Sequence, residues 1–459
     1  MRNARRLSVP IHLERNLTEP LHHQLAAQLR QAIVTGRLGA GTRLPSTRTL
    51  AEVLRISRGV ALAAYEILLG EGYVHGRHGS GTYVARRRED RARRPPPAEA
   101  VRAGVDLTPD RPNTRAFPLM AWRAAWRRAS HQPPPHDDLP PLGLPELRHA
   151  IAAFLRESRG LVLDHHEVVV TTGHGHALQL LLQGGHAPTV ALEDPAHPLL
   201  RGALSQRARV VPVPVDRSGP RPGAIPAGCD AVVVLPERNN PLGHRMSLER
   251  RRALAVWADR TGGLVVEPAF DGLFATSGNP LPSVGSLTGP RSSAMTGSFR
   301  DILTPNLRVA FAVVPRPLAR AIEAAAPVAG QPSFPCQRAV TELLTSGTVT
   351  RHVERLSAVY ESRGRLVRQA LGGLPGTRLL GVGTGNGSAA LLLPGAAVAR
   401  EVLAALRARQ LRVAELAAYY QGAAEHGLVL GYGHLDEMPL RRALHVITRT
   451  LDLTRPAAA

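Results

Sequence analysis

The sequence predicts a chain of the α/β class in two parts: a small, basic, mostly helical N-terminal unit and a large domain around a mostly parallel sheet, ending in a smaller C-terminal subdomain. Three observations predict it. Apolar residues recur at helical spacing between about residues 20 and 71. From about residue 106 onward, strand-like and helical runs alternate, the pattern of βα units around a parallel sheet. Between the two, residues 86–105 (RRREDRARRPPPAEAVRAGV) are an arginine run followed by a proline run, which reads as a solvated linker. The domains expected are therefore 1–85, a linker 86–105, and 106–455, with the small subdomain starting from about 330–390.

The elements follow in order. Leu21, Leu25, Leu29 and Ile33 recur every four residues and predict an amphipathic helix, which Gly36, Gly39 and Gly41 end. STRTLAEVL opens a second helix with Ser46 or Thr47 as its N-cap. Ser57 caps a third, running to about Glu71, with Gly72 as its stop. GYVHGRHGSGTYVA then reads as two short strands joined by a glycine-rich turn. In the large domain, strands are expected at EVVVTTG, TVALED, ARVVPVPV, CDAVVVLP, GGLVVEP, SSAMTGS and RVAFAVV. Helices are expected near 145–157, 175–183, 247–261 and 316–325, and the tail past Leu392 adds helices and a few strands.

Charge separates the two parts further. The formal net charge is +21 and the chain contains no lysine, so all 57 basic residues are arginine. Residues 1–94 hold 17 arginines against seven acids; about a fifth of the chain carries about half of the excess, which points to an N-terminal module that binds a polyanion. Two cysteines, Cys229 and Cys336, make neither a disulfide framework nor a metal pattern, and fit a reducing cytoplasm. MRNARRLSVPIHLERN lacks the apolar core of a signal peptide, and no apolar run approaches a membrane span. No HExxH, GxSxG or CxxC motif marks an enzyme.

The segment GTRLPSTRTLAEVLRISRGVALAAYEILLGEGYVHGRHGSGTYV resembles the winged helix-turn-helix of GntR-type regulators through LPSTRTLA, SRxxxLAAYE, EGY and GRHGSGTYV, in order and at matching spacing. The resemblance implies a double-stranded DNA operator as partner, with the N-terminal end of the second helix of the pair in the major groove. That end is Ser57, Arg58, Gly59 and Val60. Arg58 is the candidate for bidentate contact with guanine. Ser46, Arg48, Ser57 and Tyr65 are candidates to position phosphates, and Arg43 for either role. Arg77 and His78 sit at the tip of the wing. A solvated surface position is the competing reading for each. Relatives often carry Asn-Thr where Gly59-Val60 stand, so base readout rests more on Arg58 and on DNA shape.

The pairing of such a head with an α/β domain resembles the MocR subgroup of GntR regulators, whose C-terminal domain is similar to a fold-type-I aminotransferase. Landmarks are GLPELRHAIAAFL, VVVTTGHGHAL, VALEDPAHP, NNPLGHRMSLERRRAL, VVEPAFDGLF and GSFRDILTPNLRVAFAVVP. The resemblance implies a homodimer joined through these domains and a site for pyridoxal phosphate. Aminotransferase chemistry there needs a lysine amine and an acid against the pyridine nitrogen. The family's lysine position falls on Asp301; neighbouring Arg300 cannot replace it, because a guanidinium stays protonated. The acid falls on Pro268 and the ring-oxygen tyrosine on Phe270, while Asn239 or Asn240 remains as a donor to a ligand oxygen. Gly173, His174, Gly175 and His176 match a phosphate-cupping turn, Arg308 the phosphate arginine, and His197 the aromatic ring over the cofactor. The competing readings are core-satisfied or solvated imidazoles for His174 and His197, and an ion pair with Asp301 for Arg308. Val429 occupies the place of a carboxylate-binding arginine. The expectation is a cytoplasmic regulator rather than an enzyme. It would have no metal, no covalently held cofactor and no membrane partner; its aminotransferase-like domain would dimerise and sense a small effector. Non-covalent pyridoxal phosphate as the effector is the alternative, and an enzyme of unknown activity the remote one.

Overall fold

The computed structural model describes residues 9–15, 19–77, 81–85, 104–133, 135–182, 188–270, 281–289, 291–325, 330–383 and 385–453. Contacts divide the chain into two compact units, Met1–Arg102 and Ala103–Ala459. The expected linker lies almost wholly outside the described residues.

In the first unit, α1 (Leu21–Val34), α2 (Thr47–Leu54) and α3 (Arg58–Gly70) precede the antiparallel hairpin of β1 (Val74–Arg77) and β2 (Gly81–Val84). The helical stripe drives this packing: Leu25 and Leu29 of α1, Leu50 of α2, and Ala61 and Leu68 of α3 close one core with Val74 and Val84. The oxygen that caps α2 belongs to Ser46, accepting from Thr49 N–H, and Ser57 caps α3 by accepting from Val60 N–H. Gly41, Thr42 and Leu44 hydrogen-bond along β2, which fastens the hairpin to the turn ahead of α2. His78 lies outside the described residues.

The second unit contains an eight-stranded sheet with helices on both faces. Its elements are α4 (Leu119–Ser130), α5 (Pro145–Arg159), β3 (His166–Thr171), α6 (His174–Leu181), β4 (Thr189–Asp194), α7 (Pro198–Ser205), β5 (Arg209–Asp216), β6 (Gly219–Pro220), β7 (Ala231–Val233), α8 (Leu248–Thr261), β8 (Leu264–Pro268), β9 (Ser293–Ser298), β10 (Ala310–Pro315) and α9 (Arg316–Ala324). Strand order is β3-β10-β9-β8-β7-β4-β5-β6. The β9-β8-β7-β4-β5 run is parallel, while β10 is antiparallel to both its neighbours. Alternation along the strands feeds two cores: Val168, Val170 and Phe311 face α5, whereas Val169, Leu192 and Ala312 face α6 and α7. All seven expected strands and all four expected helices are present. Helices α4 and α7 stand beyond those expected.

Helices α10 (Phe334–Thr345) and α11 (Thr348–Leu371) lead to the small subdomain. There β11 (Arg378–Leu380), β12 (Ser388–Leu392), β13 (Ala414–Glu415) and β14 (Gly427–Gly431) form an antiparallel sheet of order β11-β12-β14-β13, covered by α12 (Ala396–Ala408) and α13 (Glu437–Leu453). The small subdomain also takes in the start of this unit: Leu107 is fully buried in its core and hydrogen-bonds to Arg412 and Gly431.

Candidate functional site

The first site is the open end of α3. Ser57 stops the preceding chain and starts the helix, which leaves Arg58 and Gly59 exposed in its first turn. Among the described residues, the Arg58 side chain has no ion pair or hydrogen bond. A Cβ at Gly59 would meet only the Ser57 hydroxyl, at 3.8 Å, so this glycine leaves open space beside Arg58. Arg48 is 82% exposed and pairs only with Glu52 one turn on, a contact worth little in water. Arg43 is exposed and drapes its guanidinium over Gly81 of the wing. Ser46 and Ser57 are exposed caps whose oxygens are engaged by backbone N–H groups. The wing's Arg77 lies at the end of β1.

Tyr65 is corrected. It is 5% exposed, and its hydroxyl donates to the Pro45 carbonyl at 2.9 Å, while burial pushes the phenol's pKa up. It lies between Ala61 and Leu68 on the buried stripe, so it fixes α3 against the turn before α2. Sequence reasoning missed Leu62, which is 48% exposed and stands one turn beyond Arg58 on the same helix.

The second site lies beyond the carboxyl ends of β3, β4, β8 and β9, where open α/β sheets place their ligand crevice. His174 opens α6, His197 precedes α7, Phe270 follows β8, and Asp301 follows β9. Three of these meet: Phe270 stands 4.2 Å from the ring of His174, tilted by 30°, and 5.7 Å from the ring of His197, stacked at 21°. Nδ1 of His174 bonds to the Thr296 hydroxyl at 2.7 Å, while its buried Nε2 has no partner. Burial, with the charge of Arg300 added, pushes the His174 pKa down to about 3, so the ring is neutral. His197 Nδ1 accepts from Leu199 N–H at 3.1 Å, which puts the proton on Nε2, donating to Asp110 at 2.6 Å. Both imidazoles are thus buried and bonded within the protein.

Asn239 is engaged within the protein. Its amide donates to Glu193 at 2.8 Å and to the Pro195 carbonyl at 3.1 Å, and its oxygen accepts from Leu242 N–H, so no donor is left for a ligand. Glu193, wholly buried, has its pKa pushed up to about 7. Asp301 lies 3.6 Å from Arg300. The ion pair weighed for Arg308 does not form with Asp301: Arg308 is exposed in left-handed backbone (φ 51°) and has no ion partner among the described residues. Gly173 stands at the start of α6. Pro268 ends β8 in the wall of a cavity of about 20 Å³, room for little more than a water. Val429 is buried in β14. Among the described residues no His, Cys, Asp and Glu group could hold a metal, and no helix is long and apolar enough to cross a membrane.

A winged helix-turn-helix with an open recognition end, attached to an aminotransferase fold, defines a class. Residues 21–84 match the family of bacterial regulatory proteins of the gntR family, and residues 108–409 match aminotransferase class I and II. The chain belongs to the GntR/MocR type of DNA-binding transcriptional regulators with an aminotransferase-like domain. It is 34% identical, over 97% of its length and 99% of the relative's, to the HTH-type pyridoxine biosynthesis transcriptional regulator PdxR of Corynebacterium glutamicum. It is 31% identical, over 77% of its length and 78% of the relative's, to a probable rhizopine catabolism regulatory protein, MocR, of Rhizobium meliloti. Its fold is similar to that of kynurenine aminotransferase from Pyrococcus horikoshii, with a TM-score of 0.70 at 19% identity, covering 77% of this chain and 92% of that one.

Proposed function

We propose that the aminotransferase-like domain works without covalent pyridoxal phosphate, joining two copies of the regulator and sensing a small effector, while Arg58 reads the operator. The observation that carries this reading is the stack of Phe270 with His174 and His197. It puts protein rings together in the crevice where the resemblance places a cofactor ring. The residues do not fit the cofactor in other respects. The chain has no lysine for an aldimine, Pro268 carries no carboxylate, Phe270 no hydroxyl, and the Asn239 amide is already engaged. A dimer suits recognition of paired half-sites.

One observation favours a second reading. Arg308 is exposed and has no ion partner among the described residues, and α6 offers unpaired N–H groups at its start, so an anion-binding pair survives. The PdxR relative is named for pyridoxine biosynthesis. In that reading the effector is pyridoxal phosphate held without a covalent bond. Absorption and calorimetry separate the two. The first reading expects purified protein with no visible band that hydroxylamine removes, and no heat of binding with pyridoxal phosphate. A hydroxylamine-sensitive band would sink it, and binding that vanishes in Arg308→Ala would establish the second.

A further inference from the structure

A cleft of about 520 Å³ opens between the edge of the large sheet and the small subdomain, within the volume range of small-molecule sites. Its walls are largely apolar, built from Pro195, Pro212, Pro214, Leu242 and Leu380. Three carboxylates line it, and each is already satisfied. Asp194 accepts from the N–H groups of Gln421 and Gly422 at 2.8 and 2.9 Å. Asp216 pairs with Arg221 and Arg250, both at 3.0 Å. Glu425 takes Arg378 at 2.8 Å and the Tyr420 hydroxyl at 2.9 Å. Two cleft groups have no such partner among the described residues: the guanidinium of Arg217, with no ion pair, and the imidazole of His244, with no hydrogen bond. What the cleft lacks is therefore an acceptor for N–H donors, not a cation.

We propose that this cleft is a binding site for a small amphipathic anion, a carboxylate or phosphate ester on an apolar body, gripped by Arg217 and His244. Guanidinium offers a planar fork to either anion, and the prolines and leucines cover the apolar part. As the effector site the cleft rests on the sensing role proposed above; as a ligand site it stands on its own geometry. Two segments run from it to the ring stack. Residues 194–197 carry Asp194 in the cleft and His197 in the stack. Residues 419–422 carry Gly422 in the cleft and Tyr419 against His197, and Ala196 N–H donates to the Tyr419 carbonyl at 3.0 Å. A ligand that draws the cleft walls together therefore acts directly on the stack.

The test is calorimetry on the full chain with phenyl phosphate and benzoate as probes and benzyl alcohol as the uncharged control. The expected result is saturable binding of at least one anion at millimolar concentration or below, and none of the alcohol. Arg217→Ala, an exposed position that folding tolerates, should weaken that binding at least tenfold, and His244→Ala should weaken it in the same direction. Failure of both anions to bind, equal binding of the alcohol, or unchanged binding by Arg217→Ala would overturn the site. Operator affinity is then measured with and without the bound probe. A change supports the sensing role; no change alongside intact anion binding keeps the site and overturns the sensing role.

Discussion

Arginine is the only strong base in this chain, and the recognition end of the head and the core of the large domain use it in opposite ways. In the head, Arg58 and Arg43 are exposed without an ion pair among the described residues, and Arg48 has only a weak surface partner. In the large domain the most deeply buried arginines are consumed internally. Arg251, fully buried, serves Glu237 and the carbonyls of Met246, Pro236 and Pro282. Arg238, 3% exposed, bonds to Gly381 and Ser388 of the small subdomain. A net charge therefore says little by itself. Unpaired cations are free to meet an anion, and satisfied ones hold a fold together.

Three variants break or sharpen this contrast. Arg58→Ala carries the largest expected effect: a bidentate guanine contact is worth about 1–3 kcal/mol of discrimination, so specific operator affinity should fall roughly 5- to 150-fold while non-specific affinity changes little. Fluorescence anisotropy on operator and scrambled DNA at fixed salt measures it. Full retained specificity would move the recognition end away from α3. The next effect belongs to the crevice. With its pKa pushed down to about 3, His174 stays neutral when folded and titrates near 6.5 when unfolded. The folded state then binds fewer protons, so this contribution is complete above about pH 6.5 and is lost as pH falls toward 3. Acidification from pH 7 to 5 should cost about 2 kcal/mol through this group. Melting curves across that range should be flatter in His174→Phe; an unchanged slope would mean that the ring is not held neutral.

Much of this was legible in the sequence, and the reasons are local. The caps Ser46 and Ser57 and the four-residue leucine repeat of α1 are set by near neighbours, so the head could be read directly. The strand runs of the large sheet are nearly continuous apolar segments, and they read equally well. What was not legible depends on contacts far apart in the chain. Asn239 matched a ligand donor, yet Glu193, 46 positions away, takes its amide. The Phe270 stack needs β8, α6 and the start of α7 in place before its rings can meet. Leu107 joins a subdomain whose other members lie some 260 residues or more downstream.

Tyr65 is where the sequence motif and the structure disagree inside the head, and it yields the smallest and cleanest effect. The motif offers its hydroxyl to a phosphate; the fold turns it inward to the Pro45 carbonyl at 2.9 Å. Tyr65→Phe removes that one hydrogen bond and leaves the ring packed, which should cost about 1 kcal/mol of stability in the head. Because Pro45 lies next to the α2 cap, the loss should loosen α2 before α3. Operator affinity at low temperature, where the head stays folded, should be unchanged, and so should the slope of log affinity against log salt. A phosphate contact predicts the reverse: intact stability, affinity lowered by a similar amount on every DNA sequence, and fewer ions released. Melting temperature and salt slope, measured on the same preparation, decide whether Tyr65 belongs to the packed interior of the head or to its face toward DNA.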